Sequence, residues 1–186
     1  LERCLSVEPS QYQAEKMLGD IYRKKDNQDE AINHYIGAIN INNDYFQAYY
    51  SLGLLYFENG EYDKAREALI KSITIEPTYS KAYGTLGTLE QEDDNLDNAI
   101  LHYLKSVEID KNSYDIFYRL ASVYNLKNDY ENAKLSAKKS LSIKRNYAPA
   151  YFELGISEKA MGNKIAAKNA FENAKKDKNW RKSAQY

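Results

Sequence analysis

Two histidines, a single cysteine and a run of carboxylates hold most of the chemical potential of this sequence of 186 residues. His34 and His102 could ligate a metal or carry a proton. Glu90, Glu92, Asp93, Asp94 and Asp97 could gather a cation. The run lacks the alternating ligands and terminal bidentate Glu of a calcium loop, so it reads as a solvated turn. Cys4 could act as a nucleophile, but one cysteine excludes an internal disulfide and any multi-cysteine zinc site. The sequence contains no GxGxxG, no phosphate-cradling GxxxxGK[ST] and no HExxH. No catalytic, metal or cofactor-binding residue is therefore assigned, no cofactor is expected, and the chain reads as a non-enzyme.

What remains is a pattern of spacing. Leu18, Leu52, Leu86, Leu120 and Leu154 recur every 34 residues, each followed directly by Gly19, Gly53, Gly87, Ala121 or Gly155. Thirteen residues after each leucine stands an alanine: Ala31, Ala65, Ala99, Ala133 and Ala167. Tyr49, Leu52, Gly53 and Tyr56 lie at i, i+3, i+4 and i+7, one stripe of a helix; Ala65, Leu69 and Ser72 form the facing stripe of the next. The small residues let two helix backbones approach closely. Between the helices the column Asp26, Gly60, Asp94, Asn128 and Gly162 holds the residue types that tolerate φ > 0. Links between repeats, such as Asn42-Asn43-Asp44 and Lys144-Arg145-Asn146, are polar and turn-like.

A helix–turn–helix period of this length and signature resembles the tetratricopeptide repeat. The resemblance implies an all-α fold, a right-handed α-solenoid of five complete repeats plus partial repeats at both ends. Repeats span 12–45, 46–79, 80–113, 114–147 and 148–181, forming a single array over 1–186. Residues 1–11 read as the end of a preceding repeat, with Leu1 and Cys4 in its core columns, and 182–186 as the start of a further one. Glu15 at the fourth repeat position, and Glu90 and Glu158 at the eleventh, depart from the pattern and are expected to loosen local packing. His34 and His102 share one repeat position, two repeats apart. With stacked helices about 8–10 Å apart, that puts them on the order of 20 Å from each other, too far to share a metal; both read as helix-surface histidines.

In the resembled family the first helices of the repeats line a concave groove. Positions two, five, nine and twelve fall on its exposed face, with candidate partner-binding residues Lys16, Asp20 and Arg23 from the first repeat and Gln47, Tyr50, Leu54 and Phe57 from the second. The third repeat contributes Lys81 and Thr88. The fourth contributes Asp115, Tyr118, Ser122 and Asn125, together with Arg119, and the fifth Phe152, Ile156 and Lys159. Of 18 tyrosines, Tyr50 and Tyr118 alone, the terminal Tyr186 aside, fall outside the packing columns. A clamp for the C-terminal carboxylate of heat-shock chaperones is rejected: Lys16 and Lys81 fit its frame, but Asp20, Ser51 and Thr85 stand where its other residues belong. An asparagine ladder is absent, the sixth positions being Met17, Ser51, Thr85, Arg119 and Glu153.

Hydrophobic residues at 43% and charged residues at 28% suit a folded, soluble chain. The net charge of −1 argues against a nucleic-acid partner. The charge is unevenly spread, with 11 basic and 20 acidic side chains over residues 1–112 and 15 and 7 over 113–186. No apolar run approaches the roughly 18 residues of a membrane span. No signal segment is seen, although Leu1 is not a natural start, and a cytoplasmic setting is slightly favoured. The expected function is a protein–protein interaction scaffold binding a peptide segment or helix in the concave groove. A second reading is a structural module that self-assembles through its uncapped repeat ends. A third is an anionic partner or RNA on the basic C-terminal outer face, where Lys134, Lys138, Lys139 and Lys164 lie.

Overall fold

In the computed structural model residues 9–184 are described, and they form helices and turns without a strand. The ten helices are α1 (Pro9–Lys24), α2 (Gln28–Ile41), α3 (Phe46–Glu58), α4 (Tyr62–Ile75), α5 (Ser80–Glu92), α6 (Leu96–Ile109), α7 (Tyr114–Leu126), α8 (Tyr130–Ile143), α9 (Ala148–Ala160) and α10 (Lys164–Ala174). The chain is an all-α helical-repeat protein. No helix among the described residues is long and apolar enough to cross a membrane. The expected packing of Leu1 and Cys4 lies outside the described residues. α1 opens at Pro9, ahead of Tyr12; a proline is tolerated in the first turn, where its missing N–H has no helical partner to lose.

Two compact units divide the chain, Leu1–Thr85 and Leu86–Tyr186. In the first, α1 packs on α2 and α3 on α4, around a core of Ala31, Tyr35, Leu52 and Leu55. In the second, α7 packs on α8 and α9 on α10. Its cores are Ala99, Tyr103, Val107, Ile116, Leu120 and Val123, and Ala167, Phe171, Ala174 and Ala184. Residues 175–184 are turns.

Each turn within a helix pair reverses through a left-handed residue: Asp26, Gly60, Asp94, Asn128 and Gly162 all have positive φ. Caps follow directly. The Asp129 carboxylate accepts the Asn132 N–H at 3.2 Å, satisfying one of the donors left open at the start of α8. Serines then tie the second helix of a pair to the start of the first. Ser72 Oγ donates to the Phe46 carbonyl at 3.0 Å and Ser140 Oγ to the Tyr114 carbonyl at 2.7 Å.

Small residues on the first helices match large ones on the second. A Cβ on Gly87 would stand 2.5 Å from Tyr103 Cδ1, and one on Gly155 2.7 Å from Phe171 Cε1. Gly19 faces Tyr35 and Gly53 faces Leu69 in the same way. Where the small residue is Ala121, the opposite column holds Ala137, and both are fully buried. Volume is thus exchanged across the pair. Gly87→Ala tests this. Helix propensity gains about 1 kcal/mol from the change, but forcing a methyl onto a fully buried Tyr103 ring costs about 1–3 kcal/mol. A net loss of stability is expected in a thermal melt, and a gain would show that the ring yields.

The three acidic departures, expected to loosen local packing, each find a partner. Glu90 is 6% exposed and accepts Asn95 Nδ2 at 2.9 Å. Glu158 repeats the arrangement with Asn163 Nδ2 at 2.7 Å and adds Lys134 at 3.1 Å. Glu15 Oε2 lies 2.7 Å from His34 Nδ1, and that imidazole stacks on Tyr22 with centroids 5.1 Å apart. Both histidines are half-buried rather than surface groups; burial lowers the pKa of His102, partly offset by Glu90. Of the carboxylate run, Glu92 at the end of α5 and Asp93 and Asp94 in the turn are exposed, and Asp97 pairs with Lys127 at 2.5 Å.

Candidate binding site

Candidate residues of the first helices line one cavity in each unit. In the first unit, α1 supplies Lys16, Asp20 and Arg23, one helical turn apart in sequence. α3 supplies Gln47, Tyr50 and Leu54 on the same spacing, and Lys81 comes from the start of α5. Together they line a cavity of about 670 Å³. The charged residues are ordered by pairing. Lys16 Nζ donates to Asp20 Oδ2 at 2.7 Å, and the Tyr35 hydroxyl donates to Asp20 Oδ1 at 2.9 Å. The Arg23 guanidinium forks onto Glu58, with Nε donating at 2.8 Å to one oxygen and Nη2 to the other. That bidentate pair raises the Arg23 pKa. Phe57 does not join this lining. It is half-buried against Tyr62, with centroids 5.7 Å apart.

Sequence reasoning left four lining residues out: Lys24, Ser51, Glu58 and Tyr79. Lys24 stands four residues beyond Asp20, so helical spacing alone could have found it. Tyr79 was counted among the packing columns, and it does pack. Its ring meets Tyr50 edge-on at 5.1 Å and Phe46 at 4.9 Å, and burial pushes its pKa up to about 12. Tyr50 is therefore not without a packing role, as its column had suggested. Nor is Tyr118, whose ring meets Tyr147 edge-on at 5.6 Å. Burial likewise raises Tyr147 to about 12.

In the second unit Asn125, Phe152, Ile156 and Lys159 line a cavity of about 560 Å³ together with Tyr130 and Phe171. Phe152 is fixed by Phe171 at 5.8 Å and Trp180 at 5.1 Å. Asn125 also belongs to a buried polar pair. Asn125 Nδ2 donates to Glu153 Oε2 at 2.8 Å and to the Glu153 carbonyl at 3.0 Å, while Asn125 Oδ1 has no hydrogen-bond partner among the described residues. Burial raises the Glu153 pKa, opposed by hydrogen bonds from Asn125 and Ser122. The remaining candidates stand apart from this cavity. Asp115 is exposed, Thr88 Oγ1 accepts the Tyr103 hydroxyl at 3.2 Å, and Arg119 acts on the same hydroxyl.

Ten helices, five left-handed turns and a 34-residue register of helix starts at Phe46, Ser80, Tyr114 and Ala148 meet an independent result at this point. The tetratricopeptide repeat profile matches residues 46–79, 80–113 and 114–147, and a TPR repeat profile matches 19–60. The chain belongs to the tetratricopeptide repeat family. Among solved structures, a MamA protein is similar at a TM-score of 0.80 and 23% identity, covering 95% of this chain and 96% of that one. A second MamA structure has a TM-score of 0.80 and 26% identity over 91% and 98% of the two chains. YrrB, described as a TPR protein with an unusual peptide-binding site, has a TM-score of 0.75 and 15% identity over 87% and 84%. A comparison with curated proteins returns no match. Tetratricopeptide repeats are interaction folds, so the chain is a protein-interaction scaffold in that general sense.

Proposed function

We propose that this TPR protein is a non-enzymatic scaffold whose first-helix faces bind a peptide segment or helix of another protein. The observation that carries this reading is the pair of open cavities with apolar walls and charged rims: Tyr50 and Leu54 beside Lys16, Arg23 and Lys81 in the first unit, Phe152 and Ile156 beside Lys159 in the second. Half-buried aromatic and aliphatic side chains in a concave site are the usual anchors of binding energy. The likeness in fold to YrrB, with its peptide-binding site, supports the same reading.

The test is a pull-down followed by affinity measurements on the recovered partner. Tyr50→Ala and Ile156→Ala should each weaken binding by more than about 1 kcal/mol while the circular-dichroism spectrum stays unchanged. The control is Lys138→Ala on exposed Lys138 of α8. If the control weakens binding and both cavity variants leave it intact, the basic second helices are the binding face. Recovery of the chain itself and nothing else would replace the reading with a self-assembling module.

A further inference from the structure

The cavity of the first unit is cationic within a unit that is acidic on balance. Residues 1–85 carry 9 basic and 13 acidic side chains, yet Lys16, Arg23, Lys24 and Lys81 face this one cavity against only Asp20 and Glu58. Both carboxylates are already committed, Asp20 to Lys16 and the Tyr35 hydroxyl, Glu58 to Nε and Nη2 of Arg23. Among the described residues no side chain takes up the ammonium of Lys24 or of Lys81, and both residues are exposed. Two uncompensated cations thus stand beside a floor of Tyr50, Leu54 and Tyr79.

We infer that the occupant of this cavity is an acidic peptide segment, its carboxylates meeting Lys24 and Lys81 and one apolar side chain seated against Tyr50, Leu54 and Tyr79. The inference rests on the groove reading above and names the partner's chemistry. A cleft with low-dielectric walls concentrates the field of its cations. Outside the cavity the same unit carries 11 acidic and 5 basic side chains, so the charge distribution that attracts an acidic chain at the cavity disfavours misplaced binding on the rest of the unit. Nucleic acid fits less well: its phosphates place a charge at every nucleotide, and Asp20 and Glu58 face the same space.

The test uses the full chain and three fluorescein-labelled peptides: glutamates flanking a central Leu-Phe, its Gln-for-Glu isostere and its Lys-for-Glu counterpart. Fluorescence anisotropy should rank the acidic peptide first, ahead of the Gln isostere by on the order of tenfold at low salt, with the difference shrinking as salt is raised. The double substitution Lys24→Ala with Lys81→Ala should remove that advantage and leave the Gln isostere unaffected, while Tyr50→Ala weakens both. Equal or tighter binding of the Gln or Lys peptide overturns the inference, as does failure of the acidic peptide to bind. So does its displacement by oligouridylate at equal potency. If the Lys peptide binds and Tyr50→Ala weakens it, the inference fails while the groove reading stands. If the acidic peptide binds and only Lys138→Ala weakens it, both fail.

Discussion

Ala99→Leu is expected to lower the stability of the chain by about 1–3 kcal/mol. Ala99 has no exposed surface, and its methyl sits in a core with Tyr103, Val107, Ile116, Leu120 and Val123. Three further carbons have no void to enter, so either Tyr103 leaves its rotamer or α6 and α7 move apart. The equivalent alanines Ala31, Ala65, Ala133 and Ala167 are equally buried, which makes the constraint one of helix separation rather than of a single site. For a chain of this size each kcal/mol is worth about 2–4 °C in Tm. A circular-dichroism melt that does not move would show that the helix pairing is wrong.

Asn125→Leu is expected to cost about 1.5–3 kcal/mol, the worth of hydrogen bonds to a charged group. The substitution keeps the volume but removes the only Nδ2 donor, which serves both Glu153 Oε2 and the Glu153 carbonyl. The cost should depend on pH, and its sign follows from the raised pKa of Glu153. Below the ordinary carboxyl value of 4.5 the folded and unfolded states are both protonated, and the site contributes no slope. Above it the unfolded chain releases its proton first, while the folded state still holds one. Stability therefore falls as pH rises from there through the folded pKa. Glu153→Gln should abolish that slope, and Asn125→Leu should be less harmful in acid than at neutral pH. Denaturant melts of the two variants and their combination at both pH values check this. An Asn125→Leu cost that is the same in acid and at neutrality would mean that the carboxylate is not what the amide serves.

The architecture was legible because stacking imposes the same requirement at every repeat. A residue that must be small at Gly87 must also be small at Gly53 and Gly155, so five weak signals fall into one column. The left-handed turn was legible for the same reason, since the requirement for φ > 0 restricts residue type strongly. Pairings that occur once have no column to appear in. Glu15 and His34 are 19 residues apart, and Asn125 and Glu153 are 28 apart; each looks like an exception until the neighbouring helix is in place. The candidate site divides along the same line. Helical spacing found Lys16, Asp20, Tyr50 and Leu54, because those positions share a helix face. It missed Glu58 and Tyr79 because their roles depend on Arg23 and Tyr50 across a helix boundary. The family resemblance supplied the expectation of a groove lined by first helices, which spacing alone could not.

The matched volumes across each helix pair also bear on how the chain avoids folding incorrectly. Repeats that share one packing pattern invite a slip by one whole period, in which a first helix closes on the second helix of a neighbouring repeat. In the second unit such a slip would set Ala121 against Tyr103, where even a glycine leaves no room, or Gly87 against Ala137, where a void would open. Either mispairing loses the packing that makes the native one stable. The one repeat that exchanges glycine for alanine thus acts as a register mark, giving an otherwise periodic chain a way to tell its own segments apart during assembly.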